Sequence, residues 1–564
     1  MNFERARRDI ESWRDDFPAD PYGADGPLRT LLARALPPAR LADLENDARA
    51  FGRDVVEVVG PSAARYEHRS HLPELARYDP AGRRVEQVAF DPDYHRAGEV
   101  VWRRGLVAHS GVAGRAYEQA TLLYLLSLEG EAGHACPAVC TIGLARALRR
   151  VATPEVRDRF LPPLLVADYR GAQRASQFLT EVQGGSDVGA NQTVAEPGAG
   201  GTYSVTGEKW FCSVADAQQF LLTARVPGGP AGTRGLGCFV MPRVLDGEPN
   251  GFGIRRLKEK LGTRGMASGE IDLDGAVAWP VGPVEQGFRT AVGIVLNTSR
   301  WMTAVGSAGM IRRAYLEASA YARHRSAFGG PIVRFPAVRA ALADLRARWL
   351  GALHLAFALT ELEDRIDAGT AGEETVLYHR FLVNATKYAL SVDATTAARQ
   401  AIEVLGGNGT IEEFSVLPRL YRDSIVYESW EGTHNVLVAQ VLTDLRRLPI
   451  LDVVAERLAG PCRSADSESA KRAAGQLERA LDETRLAVAD PDHGARFFRY
   501  TLDRIMTVAR AAYLLDGGEQ LAAEHLLADA EPAYDPGFAA RVDELAAQAP
   551  SSIFTARSQD RGGG

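Results

Sequence analysis

Cysteine is scarce in this chain, with five in 564 residues: Cys136, Cys140, Cys212, Cys238 and Cys462. So few thiols in so long a chain exclude a disulfide-stapled scaffold. No uninterrupted apolar run reaches the ~18 residues that a spanning helix requires. The opening MNFERARRDIESWRDD is charged and lacks the apolar stretch of a secretory signal. The expected location is therefore the cytoplasm, with no membrane partner. No Gly-x-Gly-x-x-Gly follows a strand, and neither Gly-x-x-x-x-Gly-Lys-Ser/Thr nor a Gly-x-Ser-x-Gly elbow occurs. A nicotinamide Rossmann domain, a P-loop and an α/β-hydrolase site are thus not indicated. Positive charge is not in excess either: the net charge of -7 gives no global attraction to nucleic acid or anionic lipid.

What is present reads as an ordinary soluble composition, 46% apolar and 24% charged. The length predicts about two to four subdomains. Leu28, Leu31 and Leu32, then Leu122, Leu125, Leu126 and Leu128, recur at helical spacing, so residues 1–174 are read as a helical domain. Asp79-Pro80-Ala81-Gly82 punctuates it. From about 175 to 286 the rhythm becomes that of short strands: Gly201 to Phe211 alternates, Phe220–Ala224 and Gly237–Met241 are brief apolar runs, and Ile271–Leu273 fits one more. Long helices return over 287–447. Residues 448–564 form a helical extension whose Arg561-Gly562-Gly563-Gly564 end is expected to be disordered. His134, Cys136 and Cys140 place two thiols one helical turn apart, as in half a metal site. No second ligand pair accompanies them, and no metal is expected.

Three motifs carry chemistry. Tyr427-Glu428-Ser429-Trp430-Glu431-Gly432-Thr433 sets a carboxylate beside an indole. Thr180-Glu181-Val182-Gln183-Gly184-Gly185-Ser186-Asp187 flanks a Gly-Gly turn, where the backbone can approach a ligand closely. Lys209-Trp210-Phe211-Cys212-Ser213 lies on an alternating strand. In this order they resemble the acyl-CoA dehydrogenase family over roughly residues 100 to 447. His71–Leu75, Phe90–His95, Glu131–Pro137, Ile402–Gly407 and the extension resemble its AidB (adaptive-response) branch. The resemblance implies an α+β, mainly α fold with an N-terminal helical domain, a central β-domain, a C-terminal four-helix bundle and a helical extension. It also implies FAD and a homotetramer built as a dimer of dimers.

Dehydrogenating a thioester needs a base for the α-proton, an acceptor for the β-hydride and a polarised carbonyl. The resemblance assigns the base to Glu431, whose burial would raise its pKa. Other members draw the base from the residue before an arginine; here that residue is Ser299, before Arg300, and serine cannot replace a carboxylate. By the same resemblance Thr180, Trp210 and Ser213 contact the flavin end of FAD, and the region of Ser186 lines the substrate's pantetheine arm or the FAD phosphates. The segment from Arg325 to Ile332 grips the pyrophosphate from a neighbouring subunit, with arginine offering a planar fork to phosphate and Phe328 packing against the adenosine side. Glu403 and Gly407 approach the adenine half, although glutamate stands where many members have glutamine. Thr433 and Asn435 add FAD contacts, and Arg300 lies near the thioester.

Asn297 replaces a common CoA-contacting aspartate, which opens a carrier-protein-bound thioester as an alternative to acyl-CoA. An electron-transfer flavoprotein is the expected acceptor. Two other readings share the scaffold: a DNA-associated flavoprotein protecting against alkylation, and a flavin-dependent oxygenase. DNA is disfavoured, because residues 451–564 hold thirteen basic and nineteen acidic residues and phosphate would be repelled.

Overall fold

The structure is a computed structural model, which describes residues 3–464 and 467–529 together with a few positions between 541 and 548. The glycine-rich end lies outside the described residues. The chain opens with helices, among them Gly26–Ala35, Pro38–Asp54 and the almost wholly buried Ala116–Leu126 and Ala135–Val151. Asp25 starts the first of these by accepting from the Leu28 N–H at 3.0 Å.

The all-helical reading of residues 1–174 needs one correction. Glu74–Tyr78 and Arg84–Ala89 pair as an antiparallel hairpin. The Asp79–Gly82 punctuation closes it: the Asp79 carboxylate accepts from the Ala81 and Arg83 N–H groups at 2.8 Å each, and Gly82 supplies a φ of +79°. Apolar spacing alone did not distinguish this short hairpin from its helical surroundings.

The central sheet has seven strands. Ser268–Pro280, Tyr203–Ser213, Val194–Pro197, Gln219–Arg225 and Leu236–Pro242 pair in sequence around a closed ring, the last returning to the first. The last strand expected from Ile271–Leu273 is in fact the thirteen-residue Ser268–Pro280. Phe178, Phe220 and Phe252 stack inside it at 4.6 and 4.7 Å between ring centres.

Asn297–His324, Pro336–Asp367, Glu373–Leu405 and the pair Leu417–Ser429 and His434–Arg447 form the bundle. The first is buried on nearly every face, as expected of a central helix apolar all round. Ile450–Ser464, Glu468–Ala489, Pro491–Gly517 and Gln520–Asp529 pack against the bundle. Tyr388 donates to Asp503 at 2.6 Å, and Tyr378 and Tyr513 share a hydrogen bond at 2.9 Å, so the extension is joined to the helix Glu373–Leu405. No described helix is long and apolar enough to cross a membrane.

Candidate active site

The helix Leu417–Ser429 stops because Trp430 is extended, and Glu431 and Gly432 then take φ values of +56° and +103°. Thr433 is extended again and leads into His434–Arg447. A left-handed glutamate costs about 1–2 kcal/mol and persists only where its surroundings over-determine it. Two buried cations do so. Arg300 Nε donates to the Glu431 carbonyl at 2.9 Å. Lys387 Nζ donates to the carbonyls of Glu428 and Gly432, at 3.1 and 3.0 Å. Arg300 is itself held by Asn384 Oδ1 at 2.8 Å. A Cβ on Gly432 would come within 3.2 Å of Leu437 and 3.5 Å of Arg300.

Glu431 borders a narrow cavity of about 20 Å³ whose other walls include Cys136, Cys140, Ser299, Thr303 and Trp430. Burial raises the pKa of the Glu431 carboxyl, while Arg300 and Lys387 oppose that rise. Burial also lowers the Lys387 ammonium to about 7 and Arg300 to about 10. Trp430 packs against both the helical core and the core of the sheet, so Glu431 sits where the two meet. The Trp430 indole N–H is buried and has no partner among the described residues. Cys136 and Cys140 face each other across 3.7 Å in this wall. His134 is turned away, onto the Tyr94 carbonyl at 2.8 Å.

The second motif group lies on the sheet. The Trp210 N–H donates to the Thr180 carbonyl at 2.9 Å, joining the two segments. The turn after Thr180 is shaped by Glu181, which accepts from the wholly buried Lys209 at 2.7 Å and from the Gln192 N–H at 2.6 Å. Thr180, Trp210 and Ser213 are half-buried, and Ser186 is exposed. Lys258 Nζ lies 3.5 Å from the centre of the Trp210 ring. The Ser213 carbonyl accepts from the Ser176 hydroxyl.

The third group gathers at the far end of the helix Asn297–His324. The Arg325 N–H donates to the Tyr321 carbonyl at 2.8 Å, and Asn408 Nδ2 donates to the Tyr321 hydroxyl at 3.0 Å. Ser326–Ala327 pairs with Gly330–Pro331 around a turn at Phe328 and Gly329, whose φ values are +51° and +91°. Arg325 is exposed, Ile332 is half-buried, and Phe328 is 98% exposed. Glu403 and Gly407 are exposed, Glu403 lying 3.5 Å from Arg399. Thr433 and Asn435 are exposed beside the Glu431 loop. Arg300 is buried, and it directs donors into the protein, at Glu431 and Asn384.

Sequence reading missed Lys387 and Asn384. The available signal was a lysine and an asparagine at helical spacing within the mostly apolar run Phe381–Leu390. A larger cleft of about 580 Å³ lies elsewhere, among Trp13, Phe17, Glu67, Glu129 and Phe414. Its arginines are already paired, Arg313 and Arg419 with Glu129 and Arg422 with Glu412. Of the arginines in the extension, Arg504 is paired with Glu483 and Arg510 with Asp393, while Arg499 donates to Tyr388 at 3.1 Å.

Comparison with known proteins agrees with this geometry. Residues 176–276 match the acyl-CoA dehydrogenase middle domain, 285–445 its C-terminal domain, and 17–171 the adaptive response protein AidB N-terminal domain. The putative acyl-CoA dehydrogenase AidB of Escherichia coli is 34% identical over 68% of this chain and 71% of its own length. The crystal structure of Caenorhabditis elegans ACDH-11 in complex with C11-CoA superimposes with a TM-score of 0.83 at 26% identity, covering 94% of this chain and 91% of that one. A Bacillus anthracis acyl-CoA dehydrogenase complexed with FAD shares the fold, with a TM-score of 0.68 at 19% identity over 93% and 88% of the two chains. The chain belongs to the acyl-CoA dehydrogenase family, whose members are oxidoreductases acting on acyl-CoA thioesters.

Proposed function

We propose that the protein is an FAD-dependent acyl-thioester dehydrogenase in which the Glu431 carboxylate removes the α-proton. The carrying observation is a carboxylate held in a strained backbone conformation by two buried cations, at the edge of a largely apolar cavity. Burial lifts its basicity, which suits it to a carbon acid at neutral pH.

The residues present fit the cofactor. The Trp430 indole N–H is an orphaned buried donor, and the half-buried Trp210 and Thr180 lie side by side on the sheet. When bound, FAD supplies the acceptor for the β-hydride. Trp430 and the cavity wall pack around the half-buried Glu431, and Arg300 fixes the Glu431 backbone. The α-proton passes to Glu431, and the electrons leave to a separate acceptor such as an electron-transfer flavoprotein. The ACDH-11 complex supports CoA as the carrier of the acyl group, since its own ligand is C11-CoA.

The same reading makes the protein an oligomer. Arg300 and Arg325 lie at opposite ends of one helix, and twenty-five residues at 1.5 Å each separate them by about 37 Å. That exceeds an extended dinucleotide. Arg325 and the exposed Phe328 therefore serve the FAD of a second copy, in a dimer of dimers. Anaerobic titration of the purified flavoprotein with matched acyl-CoA and carrier-bound thioesters tests the activity. Bleaching of the flavin by at least one thioester is expected; a panel from short to long chains with no bleaching would contradict it.

A further inference from the structure

Only five of the sixty-five basic residues of this chain are lysines. One of them, Lys387, is wholly buried beneath the Glu431 loop. Its stem rises from the helix Glu373–Leu405, and its Nζ bonds the carbonyls of Glu428 and Gly432. Those carbonyls lie on either side of Glu431, one at the C-terminal end of a helix where a cation is favoured. An ammonium on this site is a compact charge that can lose its proton, whereas a guanidinium cannot.

We propose that Lys387 is a positioning residue for the base: bonded from beneath to both ends of the loop, its charge keeps Glu431 a carboxylate beside the cavity. The inference rests on Glu431 being the base and adds a residue that fixes its charge state. Each of the two groups acts electrostatically on the other. The other charged or titratable groups facing Lys387 come from several elements. Arg300 projects from the helix Asn297–His324 and Glu428 from the last turn of the helix Leu417–Ser429. His434 follows on the next helix and sits against the Tyr388 ring, which Asp503 and Arg499 hold from the extension. Asp444 acts on Arg300 from behind. Among these, Lys387 is the cation that bridges both ends of the loop. It also titrates near neutrality, so the charge beside the base can change within the working pH range.

The test reads the base directly and needs no substrate. Infrared difference spectra of the FAD-loaded full-length protein, each recorded against its own Glu431→Gln partner, isolate the Glu431 carboxyl band. Following that band against pH gives the midpoint of Glu431. Lys387→Met is expected to move the midpoint upward by about one pH unit, the scale set by losing a neighbouring opposite charge. Lys387→Gln, which keeps a donor toward one carbonyl, is expected to do the same and guards against loss of folding in the Met variant. Lys387→Arg, which keeps the charge, is expected to hold the wild-type midpoint. An unchanged or lowered midpoint in a folded Met or Gln variant overturns the proposal, as does an Arg variant that rises as far as Met. Because no thioester takes part, these outcomes stand apart from whether any thioester is oxidised.

Discussion

Two loops in this molecule share a rare backbone feature and differ in everything around it. Glu431 and Phe328 are both non-glycine residues with φ near +55°, at +56° and +51°, and each is followed by a left-handed glycine. The Glu428–Gly432 loop is packed at the meeting of sheet and bundle, and Arg300 and Lys387 hold its carbonyls. The Ser326–Pro331 hairpin projects outward, with Phe328 98% exposed. In the first, strain is maintained by buried cations bonded to the loop's carbonyls. In the second, the two-residue turn of a hairpin takes positive φ at both positions, and the exposed aromatic ring stands edge-on to Phe335 at 6.1 Å between ring centres. On the proposed reading, the chemical half of the site is complete in one copy, while the cofactor-gripping half is offered to another.

The largest effect expected from breaking this contrast is at the base. Glu431→Gln should retain FAD yet slow flavin reduction by about 10²–10⁴-fold, the range for removing a general base. In the unaltered protein, the reduction rate should rise with pH as Glu431 loses its proton, with a midpoint above the ordinary carboxylate range; stopped-flow spectrophotometry across pH checks both. Next comes Arg325→Ala, which removes a charge-assisted phosphate contact and should weaken FAD binding by about tenfold or more. The melting temperature of the FAD-free protein should stay the same, since Arg325 is exposed. Gly432→Ala should destabilise by about 1–3 kcal/mol, because its φ of +103° strains any side chain and the new Cβ meets Leu437. Phe328→Gly is the opposite case: removing the left-handed penalty should raise stability by up to about 1 kcal/mol while loosening FAD. Thermal denaturation with and without FAD separates these last two.

The order of helices, closed sheet and bundle was legible because apolar spacing changes period near residue 175 and again near 287, where the strands begin and end. Glu431, Thr180 and Trp210 stand out as candidates in the sequence because their neighbours form long motifs. The Glu74–Ala89 hairpin was not, since only its Asp79–Gly82 turn carries a local signature. Lys387 and Asn384 were not, because what singles them out is the loop they support, more than forty residues away along the chain. The Cys136–Cys140 pair looked like half a metal site from its spacing. The fold places both thiols in the cavity wall and turns His134 elsewhere.

The central claim is that Glu431 takes a proton from the α-carbon of a bound thioester. Proton NMR of a non-oxidisable thioester held with the FAD-loaded protein in D2O measures this directly. The α-protons are expected to exchange for deuterium with the wild-type protein and to remain in place with Glu431→Gln. Exchange at the same rate in both proteins would contradict it.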